Sequence, residues 1–218
     1  VSEPTGEPSA PTFVLASASP ARLATLRAAG LDPVCLVSGV DEDGVAAPDA
    51  ATLVATLARL KAEAVFAVAD LPERVVVVGC DSVLDLAGEV HGKPADVDQA
   101  RARWRALRGN SGVLRTGHHV IARLDGRVTT AAAVADTVVH FADLDDAEIE
   151  AYLGSGEPLA VAGAFTIDGL GGAFVERIEG DPHNVVGISL PLLRRLLAGL
   201  GVPWPSLWRG SAGDGTAR

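Results

Sequence analysis

RVVVVGCD, residues 74–81, is a continuous apolar run that ends on a carboxylate. Its β-branched content and short length fit a strand covered on both faces at the centre of a sheet. That reading puts Asp81 where the strand stops, at the carboxyl edge where crevices open in α/β sheets. Upstream, TFVLA (12–16) and VCLV (34–37) read as further strands, with a helical pattern over 20–29. A second helix over 49–69 spaces Leu53, Leu57, Leu60, Ala64 and Val68 on one face, with Asp49 as its cap. Downstream come a hairpin-like piece from Val83 to His91, the tripeptide GKP at 92–94, and a helix over 96–107 capped by Asp96. Beyond Gly109, GVLRTGHHVIARL and RVTTAAAVADTVVHF are β-rich runs joined by Asp125-Gly126, a two-residue hairpin signal. A short helix from Asp145 to Leu153, a glycine-rich stretch over 163–184 and a helix over 189–199 follow. Alternating elements followed by an antiparallel ribbon predict an α/β fold with a mixed sheet.

The chain has 218 residues, 48% of them apolar, and a chain of that size buries roughly 70% of its unfolded surface. One domain over 12–205 is expected, with the polar, Pro-rich residues 1–11 as a disordered tail and 206–218 as a flexible one. No apolar run approaches the ~20 residues that span a bilayer, and residues 1–11 do not resemble a signal peptide. A soluble, cytoplasmic protein is therefore expected. The formal charge of -10 argues against nucleic acid or an anionic membrane as partner, since both require a basic face. A local basic pocket for a small anion remains compatible with it. Only two of the 18 basic residues are lysines, Lys61 and Lys93. Cys35 and Cys80 lie in apolar runs and are expected as buried free thiols.

LASASPARL (15–23) places Ser19 at an N-cap and Pro20 at the first helical position. The free backbone donors there, the positive helix end, the Ser17 and Ser19 hydroxyls and Arg22 together suit a phosphate. Simple capping, with Arg22 solvated, is the alternative. Asp81 faces a similar choice between a turn role beside Ser82 and a ligand role. One acid of the loop Asp41, Glu42, Asp43 set against Asp81 makes an oxygen-rich site for Mg²⁺ or Mn²⁺. Lys61 and Lys93 flank Asp81 in sequence and suit neutralisation of a polyphosphate. His91, His118, His119 and His140 show no metal-ligand spacing and read as structural, while His183 is undecided. The absence of GxSxG, HExxH, paired CxxC and a GxGxxG after a strand argues against nucleophilic hydrolases, zinc enzymes and ordinary dinucleotide binding.

With these residues in place the chain resembles the Maf family of nucleoside triphosphate pyrophosphatases, also called septum formation inhibitors. The likeness covers about residues 13–200. It rests on LASASPARLATLRAAGL (15–31), the VDE of 40–42, Lys61 in LARLKAEA, GCDSV (79–83), HGKP (91–94) and AGAFTIDGLGGAFVERIEGDPHNVVGISL (162–190). The resemblance implies a fold like that of the inosine triphosphate pyrophosphatases, an elongated bent sheet with two lobes around a cleft, often as a homodimer. It also implies metal-dependent cleavage of a nucleoside triphosphate, including non-standard ones, to a monophosphate and pyrophosphate, in a house-cleaning or division-arrest role. By position, Ser17, Ser19 and Arg22 would hold phosphate, Glu42 and Asp81 would serve as metal ligands and base, and Lys61 and Lys93 would meet the phosphates. Three base-selecting positions depart from the family sets of Arg, Thr and Gln or Trp, Gln and Glu. This chain has Ala21, Ser82 and Asp168 there, so Ser82 and Asp168 are candidate base contacts and the base is open. Competing expectations are a nucleotide-sensing regulator of septum formation without catalysis, and a phosphatase releasing orthophosphate.

Overall fold

In the computed structural model, residues 10–68 and 70–209 are described. Residues 1–9 and 210–218 of the two expected tails lie outside the described residues. Among those described, seven strands form one sheet: β1 (Thr12–Leu15), β2 (Val34–Cys35), β3 (Val75–Leu86), β4 (Glu89–His91), β5 (Ser111–Leu124), β6 (Arg127–Phe141) and β7 (Val175–Glu179). The helices are α1 (Pro20–Ala28), α2 (Ala50–Val68), α3 (Val97–Leu107), α4 (Asp146–Gly154), α5 (Pro182–Val186) and α6 (Leu190–Gly199). The sheet runs β2-β1-β3-β5-β6-β7, with β4 also on β3. The β2/β1 and β1/β3 pairs are parallel and the others antiparallel, so the sheet is mixed as expected.

The apolar run is the first half of β3, but the strand does not stop at Asp81. It continues to Leu86, because its backbone pairs with β5 from Val75↔Arg123 to Asp85↔Val113. Asp81 is therefore mid-strand, a correction to the expected position at the strand's end. β5 fills one edge of β3, so β1 and β4 share the other. β1 covers Val75–Val78 and β4 covers Leu84–Leu86, and on that edge, between them, no strand pairs with residues 79–83 among the described residues.

Period-two alternation explains why both faces of β3 are apolar. Val76, Val78 and Cys80 pack with Leu26 of α1 and with Leu193 and Leu197 of α6. Val75 and Val77 face the other way, onto Ala62 and Val65 of α2. Two glycines let α2 settle directly on the sheet. A Cβ at Gly79 would overlap the Ala58 carbonyl oxygen, and one at Gly117 the Val54 carbonyl oxygen. A second core surrounds Trp104, whose ring makes edge contacts with Phe141 at 5.8 Å and Tyr152 at 5.3 Å.

Sequence signals for caps hold well. Ser19 accepts from the Arg22 N–H, Asp49 from Thr52 at 2.7 Å, Asp96 from Gln99 at 2.8 Å, and Asp145 forms a capping box with Glu148. Other expectations need correcting. The strand expected over 34–37 is only Val34–Cys35 at the sheet edge, and Cys35 is exposed there while Cys80 is buried. The glycine-rich stretch, for which the sequence predicts no element, carries β7 and the start of α5 as well as short 3₁₀ turns. Packing also extends past residue 205: Leu207 is buried in the α1/α6 core and Arg209 Nε donates to the Leu31 carbonyl at 3.1 Å. Among the described residues no helix is long and apolar enough to cross a membrane.

Candidate active site

A cavity of about 770 Å³ opens where β3 lacks a strand neighbour. Ser17, Ala21, Lys61, Asp81, Lys93 and Phe165 are among its lining residues. It lies beyond the carboxyl end of β1, the place where α/β sheets open toward ligands. Asp81 shares the β3 face of Val75, Val77 and Gly79, so it points to α2. There Lys61 Nζ reaches Asp81 Oδ1 at 2.6 Å and Glu42 Oε1 at 2.7 Å. Lys61 is 7% exposed and Asp81 6%, whereas Glu42 reaches in from an exposed loop. Burial raises the Asp81 carboxyl above its ordinary value, against the opposing pull of the Lys61 ammonium and the Arg22 charge. A carboxylate so placed is a stronger base than an exposed one.

The serine loop does both things its sequence allows. Ser19 caps α1, while the Ser17 hydroxyl accepts from the Ser19 N–H at 3.1 Å and from Arg22 Nη1 at 3.3 Å. Arg22 lines the cavity yet is 8% exposed, with most of its donors engaged within the protein. Nε donates to the Gly187 carbonyl at 2.7 Å, Nη1 to the Cys80 carbonyl at 2.9 Å and Nη2 to Ser82 Oγ at 2.9 Å. Ser82 Oγ also lies 2.9 Å from Thr116 Oγ1. Lys93 stands exposed on the rim.

Asp168 is not brought to this cavity. It borders a separate recess with Thr25, His183 and Leu190, and its carboxylate accepts from the Thr166 hydroxyl, which does line the cavity. Phe165, Thr166 and Gly187 on the cavity wall were visible in the sequence only as members of the 162–190 block. His118 is buried and structural: its Nε2 accepts the Ser189 N–H at 2.8 Å and its Nδ1 donates to the Thr116 carbonyl at 3.0 Å.

Whether this donor set suits a divalent cation can be judged from its oxygens. Lys61 engages one oxygen of Asp81 and one of Glu42, so each carboxylate keeps a second. No group of three or more His, Cys, Asp or Glu that could hold a metal occurs among the described residues. Two carboxylates fit Mg²⁺ or Mn²⁺ in the mode where water and substrate phosphate complete the shell, rather than a metal caged by protein.

A family described as Maf-like protein matches residues 12–200. A protein of Cutibacterium acnes is 56% identical over 205 residues, covering 92% of this chain and 96% of its own. One from Salinispora tropica is 59% identical over 198 residues, covering 90% and 87%, and one from Nocardia farcinica is 59% identical over 208 residues, covering 91% and 97%. All three are named nucleoside triphosphate pyrophosphatase. With nearly the whole described chain inside the match, and the segments that carry Ser17, Glu42, Lys61, Asp81 and Lys93 inside it, this protein belongs to the Maf family.

Proposed function

We propose that the chain hydrolyses a nucleoside triphosphate, standard or modified, to the monophosphate and pyrophosphate. The observation that carries this reading is the buried Lys61–Asp81 pair, shared with Glu42, on the wall of a cavity that also receives the α1 N-terminus and Lys93. The name of the relatives is that of the same reaction.

In this reading Asp81 accepts a proton from a water as the water oxygen bonds to the α-phosphorus. The bond from that phosphorus to the bridging oxygen breaks in line, and its electron pair leaves on pyrophosphate. Lys61 holds Asp81 Oδ1 in place and, with Lys93 and the N–H groups opening α1, offsets phosphate charge as it moves to the leaving group. Glu42 and Asp81 would hold a divalent cation, which when bound supplies charge neutralisation and a more acidic water. The base is read loosely, since Ala21 has no polar group and the Ser82 hydroxyl is already paired with Arg22 and Thr116. This fits a role in clearing unusual nucleotides.

The test is a nucleotide panel with Mg²⁺ or Mn²⁺, assayed for phosphate with and without added inorganic pyrophosphatase. Signal that needs the coupling enzyme supports cleavage between the α- and β-phosphates; direct signal indicates a phosphatase, and none for any nucleotide indicates a sensor. Asp81→Asn should remove turnover while the fold persists, because even about 3 kcal/mol of lost transition-state stabilisation slows the reaction about 150-fold.

A further inference from the structure

Lys93 is exposed on the cavity rim, in a bend between β4 and α3. Its backbone is fixed one residue earlier. The Gly92 carbonyl accepts Arg103 Nη1 at 2.7 Å and the Gly163 N–H at 3.1 Å. Arg103 sits on α3 and is 6% exposed. The Glu89 carboxylate acts on it only from beyond ion-pair distance, and among the described residues its Nε has no partner.

A buried guanidinium without a paired carboxylate is costly, and an apolar side chain of similar volume would fill the space at lower free energy. The next residue makes a matching contact: Trp104 Nε1 donates to the Ala164 carbonyl at 2.9 Å. Ala164 has φ 66°, a left-handed conformation that disfavours any residue with a Cβ, and Gly163 beside it has φ 74°. Gly163 admits no side chain, since a Cβ there would lie 2.9 Å from Leu84 Cβ. One turn of α3 thus grips two rim segments, 92–94 and 160–166, and the Gly163 N–H ties each to the other.

We propose that Arg103 is a positioning residue that sets Lys93 against the substrate phosphates by holding the Gly92 carbonyl, with Trp104 holding the opposite rim. The proposal rests on the reading of Lys93 as a phosphate contact. A double-mutant cycle tests both: K93M, R103M and the pair, with kcat and KM measured on the preferred nucleotide and a thermal melt for each variant. R103M should lower kcat/KM on the order of 10- to 100-fold, and R103K, which keeps a charged donor, should recover most of it. In the K93M background R103M should change the rate by less than about twofold, because the two act as one unit. Equal factors in both backgrounds, or wild-type turnover in R103M, overturn the positioning role alone. Wild-type turnover in K93M overturns the reading of Lys93 and this proposal with it. If R103M melts too low to assay, R103Q tests the same contact from the other side: it keeps a donor for Gly92 without the charge and should hold kcat/KM within a few-fold of wild type, and a loss on the order of 10- to 100-fold in R103Q would overturn the role of that contact.

Discussion

His118 should account for a measurable part of any loss of stability in acid. Its ring is 1% exposed, and both nitrogens are committed in the neutral form, Nδ1 as donor to Thr116 and Nε2 as acceptor from Ser189. Ser189 is the N-cap of α6, so protonating Nε2 would set two N–H groups against each other at the start of that helix. Burial, the largest influence, lowers the imidazole from 6.5 to about 4. Between those values the unfolded chain binds the proton and the folded chain does not. Stability from this group is therefore fully present above the unfolded value and is lost as pH falls toward the folded one. The whole gap corresponds to about 3 kcal/mol. Urea unfolding in roughly half-unit steps from about pH 7 to about pH 4 measures it through the shift in midpoint. His118→Gln retains an acceptor for Ser189 and does not titrate, so its stability should fall less steeply over that range. Other groups titrate there too, and only the difference between the two slopes belongs to His118. Parallel curves for the two proteins would falsify the argument.

Two further outcomes follow from the seat of α2. Lys61→Met leaves Asp81 buried without its ammonium, which should cost about 3–5 kcal/mol in unfolding experiments and lower turnover by more than about 100-fold; a melt unchanged from wild type would remove Lys61 from the account of stability. Gly117→Ala forces a methyl into the Val54 carbonyl and should destabilise by about 3 kcal/mol or more. A Gly117→Ala protein as stable as wild type would mean that α2 is not held against the sheet by that contact.

What the sequence revealed was mostly local. Ser19, Asp49 and Asp96 cap helices through side-chain contacts three residues away, and Asp125-Gly126 turns β5 into β6, so short windows suffice to find them. The length of β3 was hidden because it depends on β5, which begins some thirty residues later. The stretch Ser82–Leu86 mixes polar and apolar residues and ends half-buried, so no apolar run marks it. Cys35 was misread for the reverse reason: VCLV has a core-like composition but lands on the outer edge of the sheet, where only two residues pair. At the site, Asp81, Glu42, Lys61 and Lys93 stood out by residue type and order, and they share one cavity. Arg103 carried no such mark. An arginine on an amphipathic helix looks solvated until the tertiary fold turns it onto Gly92.

Arg22 shows most clearly why the site lies where it does. Along the edge of β3 that meets β1, carbonyls of alternate residues seek donors, and the Val78 carbonyl receives the Ala16 N–H at 2.8 Å. The next one on that edge belongs to Cys80, past the end of β1, where no strand remains to supply a donor. A buried carbonyl without a partner is rare and costly. Arg22 Nη1 takes the place of the missing strand at 2.9 Å, and the same guanidinium reaches Ser17, Ser82 and Gly187. One side chain thus allows the sheet to open at residues 79–83 without an orphaned backbone group. Because no strand flanks that edge of β3, adjacent residues on opposite faces of one strand border the same cavity, Asp81 toward Lys61 and Ser82 toward Arg22. Asp81 and the serine loop meet because the sheet is interrupted at this point, and Arg22 is the residue that satisfies the interruption.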